Sequence, residues 1–145
     1  MSRYWKIKSF AKINLALNIV GKTSSLHKIE SLISFLNLND DIFIREINKK
    51  KHQIKFTGKF SDEIGEKNTV SKLLEILDKK DLLKNKKYEI KIIKNIPNKA
   101  GLGGGSMNAA SILKFFGTLR QFREVLKIIK KSKIYVQLLV VGESL

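Results

Sequence analysis

Residues 96–110 run Ile-Pro-Asn-Lys-Ala-Gly-Leu-Gly-Gly-Gly-Ser-Met-Asn-Ala-Ala. Four glycines, Gly101, Gly103, Gly104 and Gly105, fall within five residues, and the only proline, Pro97, stands just ahead of them. A strand-like run from Tyr88 to Ile96 leads in, and a helix-like run from Ser106 to Phe116 leads out. Glycine permits positive φ and lets backbone N–H groups approach a ligand with no Cβ in the way. A helix start adds unpaired N–H groups and the positive end of the helix dipole. The chemistry this arrangement suits is anion binding, and phosphate is the first expectation.

Spacing excludes two common phosphate loops. No Lys-Ser or Lys-Thr follows the glycines, so the G-x-x-x-x-G-K-[ST] loop is ruled out. Gly101-x-Gly103 continues as Gly104-Gly105-Ser106, so the dinucleotide fingerprint G-x-G-x-x-G is ruled out too. The remaining pattern, Pro-x-x-x-Gly-Leu-Gly-Gly-Gly-Ser, resembles the phosphate loop of the GHMP kinases, a family of small-molecule kinases. The resemblance implies that Pro97, Asn98, Lys99, Ala100, Gly101, Leu102, Gly103, Gly104, Gly105, Ser106 and Met107 hold ATP. The Ser106 hydroxyl is placed to touch a phosphate or Mg²⁺, or else to cap the helix. The plain alternative for the whole segment is a glycine hinge between strand and helix.

A second stretch narrows the resemblance. Residues 9–22 read Ser-Phe-Ala-Lys-Ile-Asn-Leu-Ala-Leu-Asn-Ile-Val-Gly-Lys, and His27 follows. This is similar to the opening A-K-[IL]-N-L-x-L of the 4-diphosphocytidyl-2-C-methyl-D-erythritol kinases, a branch of the GHMP family. The match covers Ala11, Lys12, Ile13, Asn14, Leu15 and Leu17. The family's Asp-Gly-Tyr before the histidine is replaced here by Ser24-Ser25-Leu26. The resemblance implies that Lys12 is catalytic, beside the hydroxyl that receives phosphate. It also implies that His27 holds a cytosine ring and that Asn68, in Asn68-Thr69-Val70, contacts the nucleotide. From alternation alone, Lys12 and Asn14 share one face of an apolar strand, as polar groups lining a cleft would. A lysine at a sheet edge and a helix cap at Asn68 are the structural alternatives. The implied ligands are ATP, Mg²⁺ and a small-molecule substrate that is a cytidine diphosphate derivative.

Composition sets the frame. A chain of 145 residues with 43% hydrophobic content supports one folded domain. There is no cysteine, so disulfides and thiolate metal sites are excluded. The start, Met1-Ser-Arg-Tyr-Trp-Lys-Ile-Lys, lacks a signal-peptide core, and no run reaches membrane-spanning length. The expectation is a cytoplasmic protein with no membrane partner. The net charge of +16 would attract polyanions. The lysines are dispersed through every segment, however, and arginine is scarce. No specific nucleic-acid partner is expected; the rival readings are a basic nucleic-acid-binding domain with an S5-like fold and another kinase of the GHMP family.

The elements that must position these residues follow from periodicity. Residues 4–20 read as one or two strands and His27–Leu38 as another. Asn39-Asp40-Asp41 reads as a turn, and Ile42–Ile47 and Gln53–Thr57 as further strands. Asn68 can cap a helix over Thr69–Leu77, whose apolar positions repeat at helical spacing. Tyr88–Ile96 reads as a strand, Ser106–Leu119 as a helix, Phe122–Lys131 as a basic helix and Ile134–Val141 as a last strand. The fold class is α+β, a sheet packed against helices. The resemblance implies the GHMP amino-terminal domain, similar to the second domain of ribosomal protein S5. It covers about residues 4–116. Beyond, Tyr135 stands where family members carry their aspartate base and Gln137 where they carry proline, and a tyrosine is a poor base at neutral pH. The expectation is a truncated chain, an ATP-binding amino-terminal domain over residues 1–145 with the carboxyl-terminal domain absent.

Overall fold

The computed structural model describes residues 3–22, 24 and 27–117, leaving aside the side chains of residues 27–29. The elements in chain order are β1 (Trp5–Lys22), β2 (His27–Ile47), β3 (Gln53–Thr57), α1 (Thr69–Lys79), β4 (Lys87–Ile93) and α2 (Gly104–Phe116). The four strands form one sheet in the order β1-β2-β4-β3. β1–β2 and β2–β4 pair antiparallel, while β3 and β4 pair parallel, with α1 crossing between them. The class is α+β, as expected.

Alternation decides which face is buried. Ile42 and Ile44 of β2 and Ile90 and Ile92 of β4 point to one side and are fully buried. Val70, Leu73, Leu74 and Leu77 of α1 and Ala109, Ile112 and Leu113 of α2 close over them as one core. Each such side chain contributes about 1.5–3 kcal/mol on burial. The other face carries Lys6, Phe43, Arg45, Glu89 and Lys91, and its cations are partly paired. Lys6 Nζ lies 3.3 Å from Asp41 Oδ1, and Lys91 Nζ lies 3.8 Å from Glu89 Oε1.

Three expectations are corrected. Asn39-Asp40-Asp41 is not a turn, because β2 runs unbroken from His27 to Ile47. The polarity that suggests a turn is absorbed inside the protein, where Asp40 is buried and fully bonded. α2 begins at Gly104 rather than Ser106, since packing against Lys94 and Ile96 overrides the low helix propensity of glycine. β4 ends at Ile93 rather than Ile96, where the backbone turns away to bond Asp40. The basic helix over Phe122–Lys131, the strand over Ile134–Val141, Tyr135 and Gln137 lie outside the described residues.

Candidate active site

The glycine loop is held against β1. β1 is an edge strand, and the backbone N–H of Lys12 donates to the Leu102 carbonyl at 3.0 Å. A register shift between Phe10 and Lys12 marks a bulge beside this contact. Bulges re-aim the side chains that follow them. Here Ala11 and Lys12 are both buried.

Each glycine that needs to be glycine has its own reason. Gly101 and Gly103 adopt φ of +73° and +70°. Positive φ therefore falls at these two positions and not at Gly104. Gly103 is the N-cap of α2 and, being glycine, supplies no side-chain cap to the helix start. Ser106 is not the N-cap residue; it sits within the first turn of α2. A Cβ on Gly103 would come within 3.0 Å of Lys12 Cε. One on Gly104 would lie 3.1 Å from Lys94 Nζ and 3.2 Å from Ile96 Cγ2. One on Gly105 would meet only Thr69 Oγ1, at 3.7 Å. Three successive glycines thus face β1, the β4 exit and α1.

On the α1 side lies a cleft of about 260 Å³. Asn68, Thr69, Asn98, Gly105, Lys94 and Asn108 are among its lining residues, so the amino ends of α1 and α2 meet there. Both helix starts present positive potential to it. Asn68 is the N-cap of α1. Its Oδ1 accepts from Val70 N and Ser71 N, both at 3.0 Å, and its amide donates to Gly65 O and Glu66 O. The Asn98 amide donates to Phe60 O at 2.6 Å. Lys99, at φ +56°, is exposed.

On the β1 side, Lys12 is only 4% exposed. Its Nζ donates to Asn14 Oδ1 at 3.2 Å, so the pair shares a face as alternation predicts. Among the described residues no carboxylate pairs with this ammonium. Asn14 also accepts from Ser31 Oγ at 3.4 Å. The backbone of His27 opens β2 opposite Lys22, while its side chain lies outside what is described.

Sequence reasoning missed the centre beneath the loop. Asp40 accepts from Asn95 N at 2.7 Å, Ile96 N at 2.9 Å and Asn108 Nδ2 at 2.9 Å, and it pairs with Lys94. One signal was available: Lys94 continues the alternation Ile90, Ile92, Lys94, Ile96, so it falls on the buried face.

Residues 68–138 match the family model of the GHMP kinases N terminal domain. The chain is 67% identical over 112 residues to the 4-diphosphocytidyl-2-C-methyl-D-erythritol kinase of Pelagibacter ubique, covering 77% of this chain and 40% of that protein. It is 40% identical over 121 residues to the kinase of the same name from Anaplasma marginale, again covering 40% of that protein. The chain therefore spans about 40% of the length of these relatives. A crystal structure of 4-(cytidine 5'-diphospho)-2C-methyl-D-erythritol kinase shares the fold, with a TM-score of 0.64 at 20% identity, over 91% of this chain and 48% of that one. A homoserine kinase from Cytophaga hutchinsonii also shares it, with a TM-score of 0.57 at 22% identity, over 87% of this chain and 40% of that one. With the glycine loop, the Lys12–Asn14 pair and these matches in agreement, the chain belongs to the GHMP kinase family, as its amino-terminal domain.

Proposed function

We propose that this chain is the ATP-binding part of a kinase that phosphorylates a hydroxyl of 4-diphosphocytidyl-2-C-methyl-D-erythritol, a step of isoprenoid biosynthesis. The names of the relatives supply the substrate. The observation that carries the reading is Lys12, a buried ammonium without a carboxylate partner among the described residues, packed against Gly103. A buried charge is stable only when compensated, and a phosphate on the loop would compensate it.

In this reading the segment Pro97–Met107 wraps the phosphates of ATP, and the cleft between the starts of α1 and α2 takes the rest of the nucleotide. Asn68 acts by building the α1 end of that cleft, since its side chain is spent on capping. Transfer needs little covalent chemistry from the protein, so positioning and charge stabilisation dominate. Lys12 offsets the charge that develops on the transferring phosphoryl group, and Asn14 orients the Lys12 ammonium toward the acceptor. His27 grips the cytosine ring of the acceptor.

Mg²⁺ fits this site only as a companion of the nucleotide. The four donors on Asp40 leave it no room to bind a metal, and the described residues hold no group of three acids or histidines. Ser106 offers a single hydroxyl, and the ion would rest mainly on phosphate oxygens, neutralising their charge.

The test is a chimera in which residues 1–116 replace the matching segment of the Pelagibacter ubique relative. It is expected to transfer phosphate from ATP to 4-diphosphocytidyl-2-C-methyl-D-erythritol. Lys12→Met in the chimera is expected to lower turnover by at least about a hundredfold while ATP still binds. A folded chimera that binds ATP but transfers no phosphate, or a Lys12→Met chimera with full turnover, would contradict the assignment.

A further inference from the structure

We infer that Asp40 is a positioning residue that fixes where the glycine loop sits, an inference that rests on the loop holding nucleotide phosphates. One carboxylate ties three segments together. Oδ1 accepts from the backbone N–H groups of Asn95 and Ile96, at 2.7 Å and 2.9 Å, on the path from β4 into the loop. Oδ2 accepts from Asn108 Nδ2 at 2.9 Å, on α2, and from Lys94 Nζ. Asp40 is fully buried, and Lys94 and Asn108 are each 1% exposed. Lys94, Ile96 and Asn108 are therefore shielded from water and cannot exchange their bonds for solvent ones, while Asn95 is exposed and its bond to Asp40 part-buried.

Lys94 is the strut of this arrangement. Its Nζ lies 3.1 Å from the point where a Cβ of Gly104 would sit, directly against the first residue of α2. Held by Asp40, it sets how closely the start of α2 approaches the sheet. Asp40 also fixes the Asn108 amide. With Nδ2 turned to the carboxylate, Asn108 Oδ1 is buried without a partner among the described residues, in a residue that lines the cleft. The network orders both the floor of the cleft and the first turn above it. Packing alone would not demand it, because a buried ion pair is often replaceable by apolar residues without loss of stability. Fixed distances are what four bonds to one carboxylate add.

The test uses the full chain and calorimetric binding of two probes, ADP with Mg²⁺ and adenosine. The unaltered chain should prefer ADP by about tenfold or more, which is the contribution of the phosphates. Asp40→Asn should cut that preference about tenfold, leaving adenosine affinity within about twofold. The double variant Asp40→Asn, Lys94→Met removes both buried charges and supplies the reading if the single variant does not fold. It should melt close to the unaltered chain and still lack the ADP preference, a split that a purely structural role would not give. A folded variant that keeps the preference, or a double variant that regains it together with stability, overturns the inference. If the unaltered chain itself shows no ADP preference, the phosphate-loop reading has failed, and the positioning inference falls with it.

Discussion

Lys12 and Lys94 both stand on apolar faces of strands or their extensions, and their partners separate them. Lys94 is compensated by Asp40; among the described residues Lys12 has the Asn14 amide and no carboxylate. That difference assigns Lys94 to construction and Lys12 to ligand chemistry. The glycines separate in the same way, and their substitutions should not cost alike. Gly101→Ala meets open space at positive φ, so it should cost about 1–2 kcal/mol of unfolding free energy. Gly103→Ala adds a contact of 3.0 Å with Lys12 Cε and should cost more than Gly101→Ala. Denaturant unfolding of both variants checks the order, and equal costs would mean that Lys12 yields freely. The loop was legible because four glycines in five residues have few other uses. Asp40 was not, because Asn-Asp-Asp reads locally as a turn and its four donors come from residues 54–68 positions away.

At the scale of elements, the residue just before β1, together with β2 and β4, is tied on the outer face by Glu89. Tyr4 Oη donates to Glu89 Oε2 at 2.6 Å, and Arg45 Nε donates to the same oxygen at 2.5 Å. The Tyr4 hydrogen bond holds the Glu89 carboxyl below its usual value of 4.5; partial burial opposes this, and Arg45 adds to it. A depressed carboxyl contributes stability above its unfolded value and loses it as pH falls through the lower folded value. The chain should therefore lose stability on acidification from about pH 5 to 3, and Glu89→Gln should lose less over that range. Thermal melts at stepped pH measure this, and identical acid limbs would remove Glu89 from the account. The start of α1 was legible at Asn68 because its cap is local. The start of α2 was misplaced by two residues because packing of Gly104 on Lys94 and Ile96, which no local pattern carries, decides it.

At the scale of the whole molecule, β1 and β2 extend past β4 as a two-stranded ribbon. β4 pairs only with residues 41–47 of β2. On the ribbon Leu15, Leu17, Ile19, Val20 and Leu32 are each more than 50% exposed. Such a ribbon is marginal alone in water, and exposed apolar side chains on it promote association. The chain should self-associate with rising concentration. Leu17→Lys with Leu32→Lys should suppress this, as sedimentation would show, without changing ATP affinity. No helix among the described residues is long and apolar enough to cross a membrane. The most direct test of the central claim, that the loop holds nucleotide phosphates, is amide hydrogen exchange with and without ATP and Mg²⁺, on this chain and on Gly105→Ala. The added methyl meets nothing closer than 3.7 Å, so the variant should fold, yet it stands in the lining of the cleft. We predict that ATP slows exchange across residues 101–107 in the unaltered chain and much less in the variant. Exchange that ATP leaves unchanged in the unaltered chain, or slows equally in both, would contradict the account.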